Sequence, residues 1–312
     1  MNTIATITLN PALDVATSTP KLVPAHKLRC TPPLHHPGGG GINVARVIHA
    51  LGGAVTALFP AGGPAGRMIC RLLEAEAVAF AETQIAGDTR ESFAVTEDST
   101  GAQYRFVLPG PTLTPAEQGW LLGTLFDLPV APDHLVVSGS LPPGIGSQFL
   151  SDLRGVAERL GAQIVLDTSA AGLKLAGGLD ALLVKPSRRE LEGFAGNDLP
   201  DDDRLASAAR ALIREKVART VLVSLGSEGA LLVTSDRASR FAPVAVPVVS
   251  SIGAGDSMVG ALTLALCEGR SIEEAVQRGI AAGAAALLAP GTQLARPADV
   301  ERLFAEMRAG VC

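Results

Sequence analysis

The sequence predicts an α/β fold in which helices cover both faces of a mostly parallel sheet. After residue 134, short apolar runs alternate with helical patterns, as is typical of parallel strands that are buried on both faces. The 312 residues are 47% hydrophobic, which is enough to bury a large core. Two regions without a helical period, at about 15–34 and 88–108, predict a second, smaller sheet.

The first half of the chain opens with a strand over residues 3–9, because this run is rich in β-branched residues and stops at Asn-Pro. From Gly41 to Leu51 the apolar residues recur at helical spacing, and two glycines end the helix. A strand at 55–59 and a helix at about 66–76 follow.

The middle of the chain has a different pattern. Residues 93–95 and 104–106 alternate apolar with polar side chains, and residues 98–101 supply a turn between them. This pattern predicts a hairpin with one apolar face. Since residues 16–33 also lack a helical period, both regions are assigned to the smaller sheet.

The second half of the chain predicts the bulk of the parallel sheet. Without a linker long enough to separate domains, we expect one domain over residues 1–312. The predicted strands are 135–137, 164–166, 182–184 and 221–223, the hairpin-like segment is 230–249, and the helices are about 147–160, 203–216, 255–268 and 272–288.

Composition excludes several classes of function. With 26 Lys and Arg against 31 Asp and Glu, the net charge of -5 argues against a nucleic-acid partner. The longest apolar run, 279–290, fits a buried helix better than a membrane span, and no secretory signal is evident, so we expect a cytoplasmic protein without a membrane partner. The 4 cysteines and 5 histidines have no zinc-ligand spacing, and His35-His36 is expected in a solvated loop.

The absence of three sequence motifs excludes further classes of enzyme. The sequence has no Walker A motif, no dinucleotide fingerprint after the first strand and no nucleophile elbow. It is therefore predicted to be neither a P-loop NTPase, nor a Rossmann dehydrogenase, nor a simple α/β-hydrolase.

The most informative motif is Ser-Ser-Ile-Gly-Ala-Gly-Asp-Ser at 250–257, directly before an apolar helix. Its glycines let the backbone approach a ligand, and the unpaired amides of the first helical turn favour a phosphate. Asp256 is expected to stay ionised there and to accept a proton from an attacking hydroxyl group. Taken alone, the motif fits an ordinary helix start capped by aspartate equally well.

Further candidate ligand contacts lie elsewhere in the chain. Four consecutive glycines at 38–41 precede Asn43, which offers an amide to sugar hydroxyls, although a flexible loop is the alternative. The loops 224–229 and 185–190 follow buried strands, where ligands of α/β sheets gather, but each is also compatible with an ordinary turn or a solvated helix start. The predicted small sheet carries cations suited to an anionic ligand, namely Lys27, Arg29, Arg90 and Arg105.

With these motifs assembled, the sequence resembles the PfkB branch of the ribokinase-like sugar kinases over essentially its whole length. The motifs that carry the resemblance are Thr-Leu-Asn-Pro-Ala-Leu-Asp at 8–14, the glycine run with Ile-Asn-Val-Ala-Arg at 38–46, Ser-Gly-Ser-Leu-Pro-Pro-Gly at 138–144, Val-Lys-Pro at 184–186, Ser-Leu-Gly at 224–226 and Gly-Ala-Gly-Asp at 253–256. The resemblance implies a three-layer sandwich in which the small sheet is a lid over the sugar and forms a homodimer interface.

The resemblance also implies a role for each matching residue. Asp256 is expected to be the catalytic base, with Gly253 and Gly255 at the anion hole. The residues implied for the sugar and its 6-phosphate are Asp14, Lys27, Gly38, Gly39, Asn43, Arg90 and Ser140. The residues implied for ATP are Lys185, Ser187, Ser224, Gly226, Gly229, Ala254 and Ala284. Mg²⁺ is expected near Glu190, and a monovalent cation, K⁺, near Ser250, Ile252, Ala286, Ala289 and Gly291.

Within the family, the segments 27–31 and 104–107 resemble members that phosphorylate fructose 6-phosphate. Relatives that act on fructose 1-phosphate or tagatose 6-phosphate usually carry Gly-Lys-Gly where this chain has Gly-Gly-Gly at 39–41. The resemblance therefore implies ATP-dependent transfer to the 1-hydroxyl of fructose 6-phosphate. Tagatose 6-phosphate and fructose 1-phosphate remain alternative acceptors, and a non-catalytic sugar-phosphate sensor is an alternative of another class. With 4% aromatic residues, the chain is expected to hold adenine with aliphatic side chains and backbone.

Overall fold

A nine-stranded sheet lies at the centre of the protein, as a computed structural model describes it for residues 3–310. Residues 1–2 and 311–312, at the two ends of the predicted domain and including the cysteine at 312, lie outside the described residues. The strands are β1 (Ile4–Ile7), β2 (Ala12–Thr19), β3 (Leu34–Gly38), β4 (Val55–Ala61), β5 (Phe80–Gln84), β6 (Arg90–Glu97), β7 (Gln103–Val107), β8 (His134–Ser138), β9 (Gln163–Asp167), β10 (Ala181–Val184), β11 (Ala218–Ser224), β12 (Ala230–Val233) and β13 (Ala238–Phe241).

The helices lie mostly between these strands along the chain. They are α1 (Gly40–Ala50), α2 (Gly63–Ala75), α3 (Pro115–Gly123), α4 (Ser147–Leu160), α5 (Ala170–Leu175), α6 (Arg188–Ala195), α7 (Asp202–Arg214), α8 (Ala254–Cys267), α9 (Ile272–Leu287) and α10 (Pro297–Arg308). None of the helices within residues 3–310 is at once long enough and apolar enough to cross a membrane.

The central sheet has the strand order β13-β12-β11-β10-β9-β8-β1-β4-β5. All neighbours from β11 to β5 pair in parallel, whereas β12 and β13 are added antiparallel at one edge. The α/β prediction with a mostly parallel sheet is thus confirmed.

Alternate residues of the central strands face opposite helical layers, because side chains alternate along a strand. Val136 and Val165 belong to an apolar cluster with residues of α1, α8 and α9. Their chain neighbours Leu135 and Ile164 belong to another cluster with residues of α3, α4 and α7. The sheet is therefore the middle layer of three, and its strands are apolar on both faces.

The small sheet has the order β3-β2-β6-β7, with the predicted hairpin in β6 and β7. Its turn is closed by the Gly101 amide, which donates to the carbonyl oxygen of Glu97 over 2.8 Å. The expectation that all the candidate cations lie in this sheet is only half right. Arg90 and Arg105 are in β6 and β7, whereas Lys27 and Arg29 lie in the connection between β2 and β3.

Several elements depart from the sequence prediction. The second helix begins at Gly63 rather than near Gly66, because Pro64 fits the first turn of a helix. The strands of the hairpin-like segment end at Phe241, well before Val249. His35-His36 lies in β3 and not in a solvated loop, and His36 Nδ1 lies 2.9 Å from Thr292 Oγ1. The elements that the sequence did not predict are β5, α3, α5, α6 and α10.

The parallel topology places the candidate site. Since β1, β8, β9, β10 and β11 run in the same direction, their carboxyl ends lie along one edge of the sheet. The segments that leave this edge contain Asn10, Ser140, Asp167, Lys185 and Ser224. Polar residues that are far apart in the sequence are thereby gathered at one end of the strands.

Candidate active site

Asp256 lies in the first turn of α8, whose preceding residue, Gly253, has a φ of 76°. This left-handed backbone conformation favours glycine and turns the chain into the helix with its first amides unpaired by helical hydrogen bonds. The carboxylate is thus held at the electropositive end of a helix, as the sequence predicted.

Asn43 of α1 also binds the carboxylate of Asp256. Its Nδ2 donates to Asp256 Oδ2 over 2.9 Å, although the residues are 213 positions apart. Gly39, which precedes α1, has a φ of 112° and is therefore restricted in practice to glycine. Part of the glycine run is thus needed to start the helix that carries Asn43.

The pKa of Asp256 is raised from 3.8 to about 7. Burial is the main cause, and the negative charge of Asp167 adds to it, while the hydrogen bond from Asn43 and the charge of Lys185 act in the opposite direction. Near neutral pH the carboxyl group of the protein without ligands is therefore about half protonated, whereas the sequence predicts that it stays ionised. A carboxyl group with a pKa near 7 is well suited to take up a proton during catalysis.

On the side of the small sheet, Asp14 lies in β2, and its carboxylate is packed against Gly38 at the end of β3. A Cβ atom at Gly38 would overlap Asp14 Oδ2. Burial raises the pKa of Asp14, and the charges of Arg105, Arg90 and Arg46 oppose this rise. The result is a carboxylate surrounded by guanidinium groups, which can accept hydrogen bonds from hydroxyls beside an anionic group.

Arg90 and Ser140 are brought together by Asn10. Arg90 Nη2 donates to the main-chain oxygen of Asn10 over 3.0 Å, and Asn10 Nδ2 donates to Ser140 Oγ over 3.0 Å. Lys27 is exposed in the connection after β2, and among the described residues its side chain has no hydrogen-bond or ion-pair partner. Two of the three residues predicted to hold a phosphate, Arg90 and Ser140, are thus linked through Asn10, and Lys27 takes no part in these hydrogen bonds.

On the opposite side of Asp256, a cavity of about 580 Å³ opens between α8, α9 and the loop after β11. Five of the residues predicted for ATP line it, namely Ser224, Gly226, Gly229, Ala254 and Ala284. The apolar part of its wall consists of aliphatic side chains such as Val244, Val246, Ile280 and Leu287 together with Met258. This lining agrees with the expectation that adenine is held without an aromatic ring.

Lys185 reaches the glycine-rich start of α8 from the end of β10. A Cβ atom at Gly255 would lie 3.8 Å from Lys185 Nζ. Lys185 Nζ also lies 3.1 Å from Asp167 Oδ1, and the two side chains are only 5% and 13% exposed. Burial lowers the pKa of Lys185, but the charges of Asp167 and Glu190 more than offset this, so that the ammonium group stays charged.

Glu190 and Ser187 form a capping box at the start of α6 rather than a free pair of ligands. Glu190 Oε2 accepts from the Ser187 amide over 2.7 Å and from Ser187 Oγ over 2.8 Å. Within residues 3–310 no group of three or more His, Cys, Asp or Glu side chains could hold a metal ion. A Mg²⁺ ion held mainly by phosphates and water would have Glu190 and Asp167, whose charges act on each other, as acidic partners here.

The segments predicted for the monovalent cation lie against each other. Ser250 Oγ donates to the carbonyl oxygen of Gly291 over 2.7 Å, and the Val249 amide donates to that of Leu287 over 2.8 Å. Ile252, Ala286 and Ala289 are buried in the same region, at the C-terminal end of α9. The segments offer main-chain carbonyl oxygens, the ligands that a hard cation prefers, and those of Ala286, Leu287 and Gly291 also accept hydrogen bonds within the chain.

Three residues of the site were missed from the sequence, namely Asn10, Arg46 and Asp167. Arg46 lies one helical turn after Asn43 and forms a two-pronged ion pair with Glu76, with contacts of 2.6 and 2.7 Å. Asp167 directly follows the buried run 164–166, and this position at a strand's carboxyl end was the signal available for it. Asn10 lies in the motif at 8–14 that carries the family resemblance, but the sequence predicts only a turn there.

The raised pKa of Asp256 predicts how catalysis depends on pH. The base must be ionised, so kcat/KM is expected to rise tenfold per pH unit up to about 7 and then to level off. Because the hydrogen bond from Asn43 lowers this pKa, Asn43→Ala is expected to move the midpoint to higher pH. Initial rates of both proteins between pH 5.5 and 9 test this, and ionisation of the substrate cancels in the comparison. Identical midpoints would contradict it.

The buried carboxyl group of Asp256, the glycine-rich helix start that carries it and the nucleotide-sized cavity lined by the same helix start fit a phosphotransferase with an alcohol acceptor. The chain belongs to the pfkB family of carbohydrate kinases, whose sequence model matches residues 11–299.

Individual relatives are similar to almost the entire chain. The ATP-dependent 6-phosphofructokinase isozyme 2 of Mycobacterium tuberculosis is 46% identical over 302 residues, which are 96% of this chain and 88% of the relative. Phosphofructokinase-2 from Escherichia coli, solved in complex with potassium, has a TM-score of 0.91 and 42% identity, with 99% of this chain and 100% of that chain covered. The same protein solved in complex with fructose-6-phosphate has a TM-score of 0.90 and 41% identity over the same shares.

The 1-phosphofructokinase of Escherichia coli is less similar, with 36% identity over 91% of this chain and 90% of the relative. These findings confirm the ribokinase-like fold and the resemblance to the minor bacterial 6-phosphofructokinases that the sequence predicted.

Proposed function

We propose that the protein transfers the γ-phosphoryl group of ATP to the 1-hydroxyl of fructose 6-phosphate and forms fructose 1,6-bisphosphate, a reaction of glycolysis. The observation that carries this proposal is Asp256, held between the start of α8 and Asn43 with a pKa of about 7. Its neighbours Ala254 and Gly255 line the cavity on the α9 side, and the charge of Asp14 in the small sheet acts on its carboxyl group. The names of the relatives support the choice of acceptor.

In this proposal Asp256 takes the proton of the 1-hydroxyl as that oxygen attacks the γ-phosphorus. The first amides of α8, after Gly253 and Gly255, together with Lys185 stabilise the charge that develops on the transferred group. Asp14, Gly38, Gly39 and Asn43 hold the sugar hydroxyls, and Arg90, Ser140 and Lys27 hold the 6-phosphate. Since phosphoryl transfer needs little covalent assistance, positioning and charge neutralisation supply most of the rate.

The nucleotide is proposed to occupy the cavity lined by Ser224, Gly226, Gly229, Ala254 and Ala284, with Lys185 and Ser187 beside its phosphates. Mg²⁺ supplies charge neutralisation at the phosphates, with Glu190 as its nearest acidic partner. A K⁺ ion near Ser250, Ile252, Ala286, Ala289 and Gly291 is supported by the carbonyl-rich segments and by the relative solved with potassium. Activity without Mg²⁺, or with K⁺ replaced by a large organic cation, measures both requirements.

The decisive experiment for the acceptor compares three substrates at saturating ATP: fructose 6-phosphate, tagatose 6-phosphate and fructose 1-phosphate. We expect the highest kcat/KM with fructose 6-phosphate. A higher value with either of the others would overturn the choice of acceptor and leave the kinase chemistry intact. Tight binding of a sugar phosphate without turnover would instead make the protein a sensor.

The small sheet is proposed to act as a lid over the sugar within a single domain, and its outer face as the contact of a homodimer. The residues that support this are apolar and exposed on or next to the sheet, namely Leu34, Tyr104, Phe106, Val107 and Leu108. Exposed apolar patches of this kind mark interaction sites. Sedimentation equilibrium of the purified chain tests the dimer, and a monomer at micromolar concentration would contradict it.

As an enzyme that depends on ATP, the protein is proposed to act in the cytoplasm, which cell fractionation can test.

A further inference from the structure

Asn10 connects the two residues that are expected to hold the sugar phosphate. Its side-chain nitrogen donates to Ser140 Oγ, and its main-chain oxygen accepts from Arg90, each over 3.0 Å. Asn10 is 9% exposed, whereas Ser140 is exposed to solvent. One buried residue, just beyond the end of β1, thus fixes both an exposed hydroxyl group and a guanidinium group.

We propose that Asn10 is a positioning residue for the phosphate-binding groups, an inference that rests on the proposed function. A serine hydroxyl has one hydrogen to donate and two lone pairs to accept with. Because Asn10 Nδ2 occupies one lone pair of Ser140 Oγ, the hydroxyl hydrogen is directed away from Asn10. That hydrogen is then free to donate to a phosphate oxygen, which carries no hydrogen at neutral pH.

The guanidinium group of Arg90 is held in a similar way. Nη2 donates to the carbonyl oxygen of Asn10, and Nη1 donates to that of Leu108 over 3.1 Å. Arg90 Nε is buried, and no partner for it is found within residues 3–310. The plane of the group is therefore set before any ligand binds, which reduces the conformational entropy that binding costs.

Gly110 provides the space that the Asn10 amide needs. A Cβ atom at Gly110 would overlap Asn10 Oδ1, and this oxygen is itself buried without a partner in the described part of the chain. The backbone of Gly110 does not have a positive φ. Alanine at position 110 therefore tests the space around Asn10 rather than the conformation of the loop.

A double-mutant cycle tests the coupling between Asn10 and Ser140. The dissociation constant for fructose 6-phosphate is measured by calorimetry without ATP, and KM and kcat by initial rates, for wild type, Asn10→Ala, Ser140→Ala and the double variant. We expect about tenfold weaker binding for Ser140→Ala and about three- to tenfold for Asn10→Ala. If Asn10 acts through Ser140, the double variant binds about as well as Ser140→Ala alone. The loss is expected in the dissociation constant and in KM for the sugar phosphate, whereas KM for ATP is expected to stay within about twofold.

The proposal would be overturned if the fold-losses in binding of Asn10→Ala and Ser140→Ala multiply in the double variant. It would also be overturned if Asn10→Ala lowers kcat without changing KM for the sugar phosphate. Gly110→Ala places a methyl group against the side-chain amide of Asn10 and is expected to weaken binding of fructose 6-phosphate as Asn10→Ala does. Its matched control is Gly119→Ala, because a Cβ atom at Gly119 meets nothing within 4 Å among the described residues. If Asn10→Ala does not fold, Gly110→Ala decides the question, and unchanged binding there refutes the proposal.

The role of Asn10 and the proposed reaction are tested by different measurements, so one can be refuted without the other. If the wild type prefers another phosphosugar, the cycle is measured with that substrate, since Asn10, Ser140 and Arg90 are expected to contact only its phosphate. Independent effects in an otherwise active wild-type enzyme would remove Asn10 from the site and leave the proposed reaction untouched.

Discussion

Asp256→Asn is expected to lower kcat about 10³- to 10⁴-fold while the dissociation constant for ATP changes less than about threefold. The amide cannot take up the proton of the attacking hydroxyl, but it has nearly the same shape as the carboxylate. It can therefore keep its place at the start of α8, beside the cavity proposed for the nucleotide. Steady-state rates and calorimetric titration with ATP measure the two quantities separately.

The same substitution is expected to stabilise the protein at high pH. Because the pKa of Asp256 in the folded chain is about 7 instead of 3.8, folding favours the protonated carboxyl group. This contribution is complete at a pH below the unfolded value and is lost as the pH rises through 7. At pH 8 the wild type must bury a charge at a cost of about 4 kcal/mol, which the asparagine avoids.

The control for this stability effect is pH itself. The melting temperature of Asp256→Asn should exceed that of the wild type at pH 8, and the difference should shrink toward pH 4. A variant with nearly full activity would show that Asp256 is not the base. A variant that is active at the expected low level but less stable than the wild type at pH 8 would contradict the raised pKa alone.

The local part of the site could be predicted because its signals are local. The helix start around Gly253 and Asp256 and the glycine run before Asn43 are contiguous in the sequence, and glycine has few substitutes where φ is positive. Similarly, the alternation of apolar strands and helices predicted the central sheet, because a parallel strand that is buried on both faces has a continuous apolar run.

The other features of the site depend on contacts between segments that are far apart in the sequence. Asp167 and Lys185 end neighbouring parallel strands, and only the pairing of β9 with β10 brings them within 3.1 Å. The pKa of Asp256 could not be inferred from its own motif, because burial and the charge of Asp167 outweigh the hydrogen bond from Asn43 and the charge of Lys185. Ser187 lies three residues before Glu190, and this spacing is the signature of a capping box. The two residues were instead predicted to bind ATP and Mg²⁺.

Several short elements were missed for local reasons. Helix α10 has Pro297 in its first turn but no side-chain cap, and a proline without a capping residue also fits a loop. Strand β5 has only five residues and lies at the edge of the sheet, where one side is unpaired and a polar sequence is tolerated. Neither omission affects the site, since neither element contributes one of its residues.

Lys185→Met is expected to destabilise the fold by about 3–5 kcal/mol, because it leaves the carboxylate of Asp167 buried without its partner. Lys185 also lowers the pKa of Asp256, so its loss should raise that pKa further and abolish most activity. Chemical denaturation measures the free energy of unfolding, and kcat is measured at pH 8.

Adding Asp167→Asn to Lys185→Met is the sharper half of this experiment. Removing the second charge should restore much of the stability, because a buried pair costs most when only one partner remains. Activity should not return, because the ammonium group at the anion hole is still missing. Arg302→Met, which breaks exposed ion pairs on α10, is the matched control and should have little effect on stability. A double variant that is no more stable than Lys185→Met would mean that packing, and not charge pairing, makes Lys185 necessary.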